Sequence, residues 1–463
     1  MTRLFPVLVP ARIVGLLISE ILLILGSFIL ASYFVLEVDP AGYLLYEGGL
    51  VTICLVMASM LIGLYLQDLY SDIRVQSRII LLQQLCLVSG MAFLIEGMVA
   101  YVDHNLRMSL RVMACGSLLA MGGIFLWRIF FSSYVLSIGG GERLLFVGRS
   151  PVLMDIARHI QQHPEAGFAV TGYVDDVNEI HEELPGGKLL GPLSSLRDIA
   201  RVTRPSRIVV GMFERRNRVP VTDLLELRLA GHLIDEAASV YETVCGRVCI
   251  KELRPSHLIY SSHLGPRRQN ILFQNLGNMI SAGIGVMVSL PLMLLTAIAV
   301  RLSSPGPVLY RQVRVGMDGE PFTLYKFRSM YVDAEAGTGA VWATRDDPRV
   351  TQVGRIIRKL RLDELPQLLN VLRGEMSIVG PRPERPEFVQ ALSEQIPYYR
   401  QRHCVRPGIT GWAQINYKYG DTLEDTITKL EYDLFYIKNM SFSLDTYIVF
   451  HTVKAMLLSR GAQ

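Results

Sequence analysis

Four long apolar runs occupy the first part of the chain, at about residues 12–36, 44–66, 79–102 and 108–136. Each run reaches the roughly 20 residues that a helix needs to cross about 30 Å of hydrocarbon. The first run is too long for a signal peptide, and no small-residue cleavage site follows it. The pattern therefore predicts a four-helix transmembrane domain over residues 1–137.

Basic residues lie mainly on one side of these runs, although the short third loop on the other side carries Arg107 and Arg111 beside Asp103. The loop between the first two runs is acidic and has no Lys or Arg, whereas the other side carries arginines. The charged residues are Glu37, Asp39 and Glu47 in the acidic loop, and Arg3, Arg12, Arg74, Arg78, Arg143 and Arg149 on the other side. Because cytoplasmic loops are enriched in Lys and Arg, we expect the N-terminus and everything after residue 137 to be cytoplasmic.

Residues 138–262 alternate short β-rich runs with helical patterns, which predicts a parallel α/β module. We expect strands at 143–147, 169–173 and 207–212, with a helix at 193–202. The first strand leads into Gly148, but Ser150 and Leu153 occupy the other two glycine positions of a dinucleotide fingerprint. The module also has no Tyr-x-x-x-Lys pair. It is therefore predicted to be a degenerate, non-catalytic Rossmann-like module, while a membrane-tethered NAD-dependent nucleotide-sugar dehydratase stays open.

A fifth apolar run, at about 271–300, has arginines on both sides. Pro291 lies within it, where it removes a helix hydrogen bond and forces a kink or a break. Ser289 could bond the backbone that such a break frees. The pattern predicts a re-entrant membrane helix, with both ends in the cytoplasm. A kinked fifth span is the alternative, and it would export the residues that follow.

Composition agrees with a membrane protein. Half of the 463 residues are hydrophobic and 19% are charged, below the roughly 25% of soluble domains. The net charge of +4 is too small to indicate a nucleic-acid partner, and six cysteines do not make a disulfide scaffold. We interpret these cysteines as reduced and inert.

Candidate chemistry is concentrated after residue 300. Asp363 and Glu364 stand just before Pro366, which is tolerated only in the first turn of a helix. Arg355, Arg358 and Arg361 precede them at intervals of three and could form a stripe that faces phosphate. An Asp at this position is often only a helix cap. Two adjacent carboxylates beside three arginines instead favour a site where a diphosphate and Mg²⁺ meet an ionised Asp.

A segment with prolines around an arginine follows, and after it a turn-rich loop. Arg382 lies between Pro381 and Pro383, which stiffen its backbone. The turn-rich loop 406–414 contains Arg406, an indole and Gln414, which could bind a nucleobase. A purely structural turn explains that loop equally well.

Taken together, these residues resemble the polyprenyl-phosphate hexose-1-phosphate transferases, in particular the large bacterial sugar transferases that start exopolysaccharide or O-antigen synthesis. The matching strings are Ser304-Pro-Gly-Pro-Val308, Lys326-Phe-Arg-Ser-Met330, Leu362-Asp-Glu-Leu-Pro-Gln367, Asn370-Val-Leu-Arg-Gly374, Gly380-Pro-Arg-Pro-Glu384 and Arg406-Pro-Gly-Ile-Thr-Gly-Trp-Ala-Gln414. Members of the family often have Ser directly before the helix-breaking Pro, whereas here Leu290 separates Ser289 from Pro291.

The resemblance implies roles for individual residues. Asp363 would be the nucleophile and Glu364 its neighbour on Mg²⁺. The other residues implied to bind substrate are Lys326, Arg328, Arg358, Arg382, Arg406 and Gln414. Ser289 and Pro291 would mark the break of the re-entrant helix, and residues 263–463 would form this helix with a small α/β catalytic domain.

The same resemblance implies a reaction and a location. Hexose-1-phosphate would pass from a UDP-hexose to undecaprenyl phosphate, with release of UMP, at the cytoplasmic face of the bacterial inner membrane. A homodimer is left open. A non-catalytic scaffold for polysaccharide assembly is a further alternative, since the sequence alone does not show that the Asp-Glu pair is active.

Overall fold

The structure is a computed structural model, and it describes residues 11–36, 39–67, 69–70, 75, 78–103, 106–135, 142–163, 167–176, 184–212, 219–250, 268–332, 334, 347–417 and 422–457. The chain divides into two compact units. Apart from a few N-terminal residues, these are Leu8–Asp235 and Glu236–Gln463. Arg3, Arg74 and Arg267, which entered the prediction of membrane orientation, lie outside the described residues.

The first unit begins with five helices. They are α1 (Ala11–Val35), α2 (Pro40–Tyr46), α3 (Gly49–Leu66), α4 (Arg78–Val102) and α5 (Leu110–Phe130). All but the short α2 belong to the five described helices that are long and apolar enough to cross a membrane. The four apolar runs are therefore confirmed as helices. They share one apolar core, which includes Phe28, Ile53, Leu85, Val112 and Ile124.

A charged pair is buried among these helices. Arg128 on α5 contacts Glu20 on α1 at 2.7 Å between Nε and Oε1, and both side chains are almost inaccessible. Tyr70 donates a hydrogen bond to Glu20 Oε2 at 2.6 Å, and Arg128 also donates to the carbonyl of Leu69 at 2.7 Å. A buried ion is tolerated when it is paired and its remaining groups are bonded. The pair therefore joins α1 to α5 at one defined position.

The rest of the first unit is an α/β sheet. Its elements are β1 (Glu142–Val147), α6 (Pro151–Gln162), β2 (Phe168–Val174), β3 (Leu189–Gly191), α7 (Leu196–Thr203), β4 (Arg207–Val210), α8 (Val221–Leu229) and β5 (Leu233–Glu236). The strand order is β3-β2-β1-β4-β5, and β1 is parallel to both β2 and β4. This confirms the predicted parallel α/β module.

The first turn of this sheet differs from a phosphate-binding loop. Gly148 has φ = +84°, so glycine is needed there for backbone reasons. Ser150 is buried, and its hydroxyl caps α6 by accepting a hydrogen bond from Leu153 N at 3.3 Å. Ser150 thus serves the helix itself.

The second unit begins earlier than the catalytic domain that we predicted from residue 263. Helix α9 (Ala237–Cys245) follows β5 directly and belongs to this unit. Lys438 contacts Glu242 at 2.7 Å, and Glu431 accepts a hydrogen bond from Tyr241 at 3.0 Å. The segment 237–250 therefore packs with the residues that follow the long helix.

That helix, α10 (Arg268–Ser303), is a single continuous helix of 36 residues with Pro291 inside it. We predicted a kink or a break at Pro291, and the helix continues through the proline, so the break is not observed. Ser289 does not bond the carbonyl of residue 287, which Pro291 leaves without its helical partner. Its hydroxyl instead donates to the carbonyl of Gly285 at 2.6 Å.

The remaining elements of the second unit are all shorter than α10. They are β6 (Leu309–Val315), β7 (Pro321–Phe327), α11 (Gln352–Lys359), α12 (Gln367–Leu372), β8 (Ser377–Val379), α13 (Pro386–Gln395), β9 (Gly408–Thr410), α14 (Trp412–Asn416), α15 (Leu423–Asn439) and α16 (Phe442–Leu457). Strands β6 and β7 form an antiparallel hairpin, and β8 pairs with β9 in parallel.

The parts of α10 before and after Pro291 both pack on the rest of this unit. Ala282 shares a small core with Leu324 of β7 and Met376. Val300 shares another with Phe327 and Ile357 of α11. The helix is therefore held against the rest of the unit on both sides of Pro291.

Candidate active site

The two adjacent carboxylates lie in a tight turn between α11 and α12. Helix α11 ends at Lys359, and Arg361 then adopts a left-handed conformation with φ = +58°. A 3₁₀ turn follows at Leu362–Glu364, and α12 begins at Gln367. The chain reverses here because Arg361 takes a backbone conformation that only a minority of non-glycine residues adopt. This turn places Asp363 and Glu364 ahead of the helix.

Asp363 is buried, with 8% of its surface exposed. Its Oδ1 atom has no hydrogen-bond partner within the described part of the chain. The common role of such an Asp as a helix cap is therefore not observed, because a capping carboxylate accepts backbone hydrogen bonds. An unpaired acceptor in a buried position destabilises the folded state, and such groups are often functional.

Glu364 is surrounded by cations. Its Oε1 atom lies 2.8 Å from Arg382 Nη2, 3.2 Å from Lys326 Nζ and 3.8 Å from Arg361 Nη1. Burial alone would raise the pKa of Glu364, but Arg382, Lys326 and Arg361 outweigh it and hold the pKa well below the usual range. Glu364 is therefore ionised throughout the physiological pH range.

The pKa of Asp363 moves in the opposite direction. Burial and the negative charge of Glu364 raise it, and Lys326, Arg358 and Arg361 only partly offset them. We had expected the arginines to keep Asp363 readily ionised, but burial, and after it the charge of Glu364, outweigh them and raise its pKa. The pair thus holds one fixed charge and one carboxyl group that is destabilised as an anion.

Burial also lowers the pKa of Lys326, although Glu364 opposes this change. Lys326 lies on β7, and its ammonium contacts Glu364 directly. The structure thus brings three of the predicted site residues, Lys326, Glu364 and Arg382, into one cluster. Arg361, which we had placed on the face of a helix, joins them because α11 ends before it.

Arg358 lies near this cluster. Its Nε atom donates to Ser329 Oγ at 2.9 Å, and its charge lowers the pKa of Asp363. Arg355 stands one turn earlier on α11 and is exposed. The predicted stripe of three arginines is therefore divided, with Arg358 and Arg361 turned to the carboxylates.

Arg328 contacts the segment that follows the long helix α10. Its guanidinium donates to the carbonyls of Ser304 at 2.7 Å and Pro305 at 2.8 Å. The side chain is 6% exposed. It satisfies carbonyls at the C-terminal end of α10, which have no partners within the helix. Arg328 therefore fixes the segment that follows the long helix, and binding of substrate by Arg328 stays a prediction.

The loop 406–414 also has structural contacts. Arg406 donates to Asn275 on α10 at 2.7 Å, and Gln414 donates to the carbonyl of Ile409 at 3.4 Å. The indole of Trp412 is buried and donates to the carbonyl of Gly246 at 2.8 Å. The indole N–H of Trp412 is thus already hydrogen-bonded, and its buried ring is not available for stacking on a base. Binding of substrate by Arg406 and Gln414 stays a prediction.

Two buried asparagines were not predicted as important. Asn370 is fully buried, donates to Thr323 O at 2.7 Å and accepts from Tyr325 N at 3.1 Å, so it fixes α12 on β7. Asn278 donates to Ser377 Oγ at 2.9 Å and accepts from Ile378 N at 3.1 Å, which joins α10 to β8. The string Asn370-Val-Leu-Arg-Gly374 contained the first of them, but spacing alone does not show that a side chain bonds the backbone.

A divalent cation is compatible with this turn. Within the described residues, no group of three or more His, Cys, Asp and Glu side chains could hold a metal ion. Mg²⁺ commonly needs only one or two carboxylates, because substrate phosphates and water complete its shell. The unpaired Oδ1 of Asp363 fits such a ligand, whereas Oε1 of Glu364 is already shared by three cations.

Comparison with known proteins agrees with this site. The family of bacterial sugar transferases matches residues 269–459, which include every element from α10 onward. A UDP-glucose:undecaprenyl-phosphate glucose-1-phosphate transferase of Klebsiella pneumoniae is 36% identical over 333 residues, which are 69% of this chain and 69% of that protein. The chain belongs to the bacterial sugar transferase family. The family predicted from the sequence is thereby confirmed.

Other members of this bacterial sugar transferase family carry different names. A UDP-N-acetylgalactosamine-undecaprenyl-phosphate N-acetylgalactosaminephosphotransferase of Aeromonas hydrophila is 46% identical over 224 residues, which are 48% of this chain. The chain spans about half, 52%, of the length of that relative. A glucose-1-phosphate transferase of Escherichia coli K12 is also 46% identical, over 195 residues, which are 42% of each chain. Overall identity therefore does not distinguish between the two sugars.

Proposed function

We propose that this protein transfers hexose-1-phosphate from a UDP-hexose to undecaprenyl phosphate and releases UMP. This is the first membrane-bound step in building an exopolysaccharide or O-antigen. Family membership and the names of the relatives support the reaction class. The observation that carries the proposal is the buried Asp363, whose Oδ1 atom is unpaired beside a cluster of fixed cations.

We propose two displacements at the same phosphorus atom. An oxygen of ionised Asp363 attacks the phosphorus that bears the sugar, and the bond from that phosphorus to the oxygen of UMP breaks. UMP leaves with the bonding electrons, and the hexose phosphate is held as an acyl phosphate on Asp363. An oxygen of undecaprenyl phosphate then attacks this phosphorus, and the Asp363 carboxylate is regenerated.

The cations around Glu364 suit the charge that this reaction develops. Arg358, Arg361, Arg382 and Lys326 lie around the carboxylate pair, and arginine forks match phosphate oxygens. Glu364 keeps these cations in place before substrate binds. When bound through Asp363 and Glu364, Mg²⁺ would neutralise charge on the diphosphate.

We propose that α10 enters the membrane and returns to the side from which it came. Gln274 in its first arm donates to Tyr436 at 2.8 Å and to Asp445 at 2.9 Å. Arg301 and Ser304 at its other end contact the carbonyl of Gly306 and the side chain of Arg328. A straight span would place these two ends on opposite sides of about 30 Å of hydrocarbon. Their contacts with one unit support a re-entrant path. The arginines on both sides of α10 favour the cytoplasmic side of the inner membrane for the catalytic domain.

The α/β module in the first unit is proposed to be Rossmann-like and without catalysis. Ser150 caps a helix, and Leu153 is buried where close helix–strand packing would need glycine. A dehydratase would need bound NAD. Stoichiometric NAD(H) in the purified protein, or a dehydrated sugar released from a UDP-hexose, would contradict this assignment.

The reaction itself is tested without the lipid. Purified enzyme mixed with UDP-glucose or UDP-N-acetylgalactosamine should release up to one UMP per active site and gain the mass of one sugar phosphate. Direct attack by the lipid phosphate is the competing mechanism, and it predicts neither UMP nor adduct until undecaprenyl phosphate is added. A scaffold would give no UMP in either case.

A further inference from the structure

Two other arginines donate hydrogen bonds to the backbone around Arg382. Arg402 donates to the carbonyl of Arg382 at 3.0 Å, and Arg314 donates to the carbonyl of Pro383 at 3.0 Å. The amide of Val315 also donates to the carbonyl of Glu384 at 2.9 Å. The segment 382–384 is therefore fixed by main-chain bonds in addition to its prolines.

Arg402 is in turn held by Asp433 on α15. The guanidinium contacts Asp433 Oδ2 through Nη2 at 2.8 Å and Nε at 3.2 Å, and it donates to Tyr399 Oη through Nη1 at 2.9 Å. Both side chains are buried, with 7% and 3% of their surface exposed. A buried arginine in such a network has little freedom to move, so it transmits the position of α15 to the backbone of Arg382.

The structure assigns Arg402 and Asp433 as positioning residues for Arg382. A continuous series of contacts runs from Asp433 through Arg402 to the carbonyl of Arg382, and from the Arg382 side chain to Glu364. Within the described residues, neither Arg402 nor Asp433 forms a hydrogen bond or an ion pair with the carboxylate pair. This assignment rests on the proposed function, because it gives the two residues a role in the same site.

The same helix provides a matched control. Glu431 lies two positions before Asp433 on α15 and is equally buried, at 4% exposed. It accepts hydrogen bonds from Tyr241 at 3.0 Å and from the amide of Ile250 at 3.2 Å. Its contacts fix the segment 237–250 instead of the Arg382 backbone. Glu431→Gln therefore measures what the loss of a buried carboxylate on α15 does to stability alone.

Activity is measured on the full-length enzyme in lipid nanodiscs, as UMP release with undecaprenyl phosphate. We expect Arg402→Lys to lower kcat/KM about 100-fold, since a displacement of about 1 Å has effects of that size. Asp433→Asn should act in the same direction. The kcat/KM of Glu431→Gln should stay within about threefold of wild type, even if its melting temperature falls as much as that of the other two variants.

A double-mutant cycle separates positioning from general damage. In an Arg382→Ala background, Arg402→Lys should lower kcat/KM by no more than about threefold further, because the side chain it positions is already absent. An equal, 100-fold further loss would overturn the assignment, and so would near-wild-type activity of Arg402→Lys or Asp433→Asn.

Hydrogen exchange tests the same idea without turnover. Amides in the segment 378–386 should exchange faster in Arg402→Lys than in wild type and be unchanged in Glu431→Gln. If Arg402→Lys does not fold, Arg314→Lys loosens the same segment from its other side and replaces it in each assay. Wild-type enzyme that releases no UMP would refute the proposed function, whereas unchanged exchange would refute the positioning role.

Discussion

Arg382 and Glu364 are joined by a 2.8 Å contact between Nη2 and Oε1, although 18 positions separate them in the chain. Arg382 lies in the rigid segment after β8, and Glu364 lies in the turn before α12. This contact makes Glu364, and not Asp363, the counter-ion of Arg382. Because Glu364 is the counter-ion of three cations, it is a poor nucleophile, which supports our proposal that Asp363 is the reactive carboxylate.

Replacement of Asp363 tests the nucleophile. Asp363→Asn keeps the size of the side chain but removes the anion, so it should lose both the covalent adduct and turnover, by more than about a thousandfold. Intact-protein mass and UMP release measure the two effects. Asp347→Asn is the matched control, because Asp347 is equally buried but is bound by Arg349 at 2.6 Å. That variant should still form the adduct. Substantial turnover of Asp363→Asn would exclude the covalent mechanism.

The pH dependence follows from the shifted pKa of Asp363. The nucleophile must be ionised, so kcat/KM should fall as the pH drops through a pKa above the ordinary value near 4. Glu364 raises that pKa, whereas Lys326, Arg358 and Arg361 lower it. Glu364→Gln should therefore move the acid limb to lower pH, even if activity at neutral pH is reduced. The comparison is Glu375→Gln, and a limb that moves equally in both variants would disprove the coupling.

The sequence predicted much of this site because its signals are local. Pro366 and Gly374 mark the two ends of α12, and Gly374 indeed takes φ = +77°. The contacts of Arg328 and Trp412 with main-chain carbonyls were not predicted, because a motif does not show which side of a strand or loop a side chain faces. Arg402 and Asp433 were missed for a related reason. Their effect passes through main-chain carbonyls, which leave no pattern in the side-chain sequence.

The path of α10 was only partly predictable. Arginines at both ends indicated a return to the same side, but the helix does not end at Pro291. Hydrophobic patterning does not distinguish a kink from a break, since both need the same proline. The decisive contacts are long-range, such as the one between Asn278 and Ser377.

Cysteine accessibility tests this path. Glu320 lies in an exposed turn between β6 and β7, and Glu47 lies in the first loop. In a background without other reactive cysteines, a membrane-impermeant maleimide should label Glu47→Cys in intact cells and Glu320→Cys only after permeabilisation. Adding Pro291→Leu should allow some molecules to span, because proline in a helix interior costs about 3 kcal/mol. Labelling of Glu320→Cys from outside, with Pro291 intact, would reject the re-entrant path.

The Glu20–Arg128 pair provides a test of the transmembrane helices. Removal of one partner leaves an uncompensated buried charge, which typically costs about 3–5 kcal/mol. Arg128→Met and Glu20→Leu should each lower the melting temperature in detergent, since Arg128 is bonded to both Glu20 and the carbonyl of Leu69. The double variant Glu20→Leu/Arg128→Met should recover part of this loss, because no charge is then left buried. An exposed pair such as Arg201 and Asp198 serves as the control, where removal of one partner should change little. If the double variant is as unstable as the sum of the single ones, the pair is not a coupled ion pair, and the two residues stabilise the helices independently.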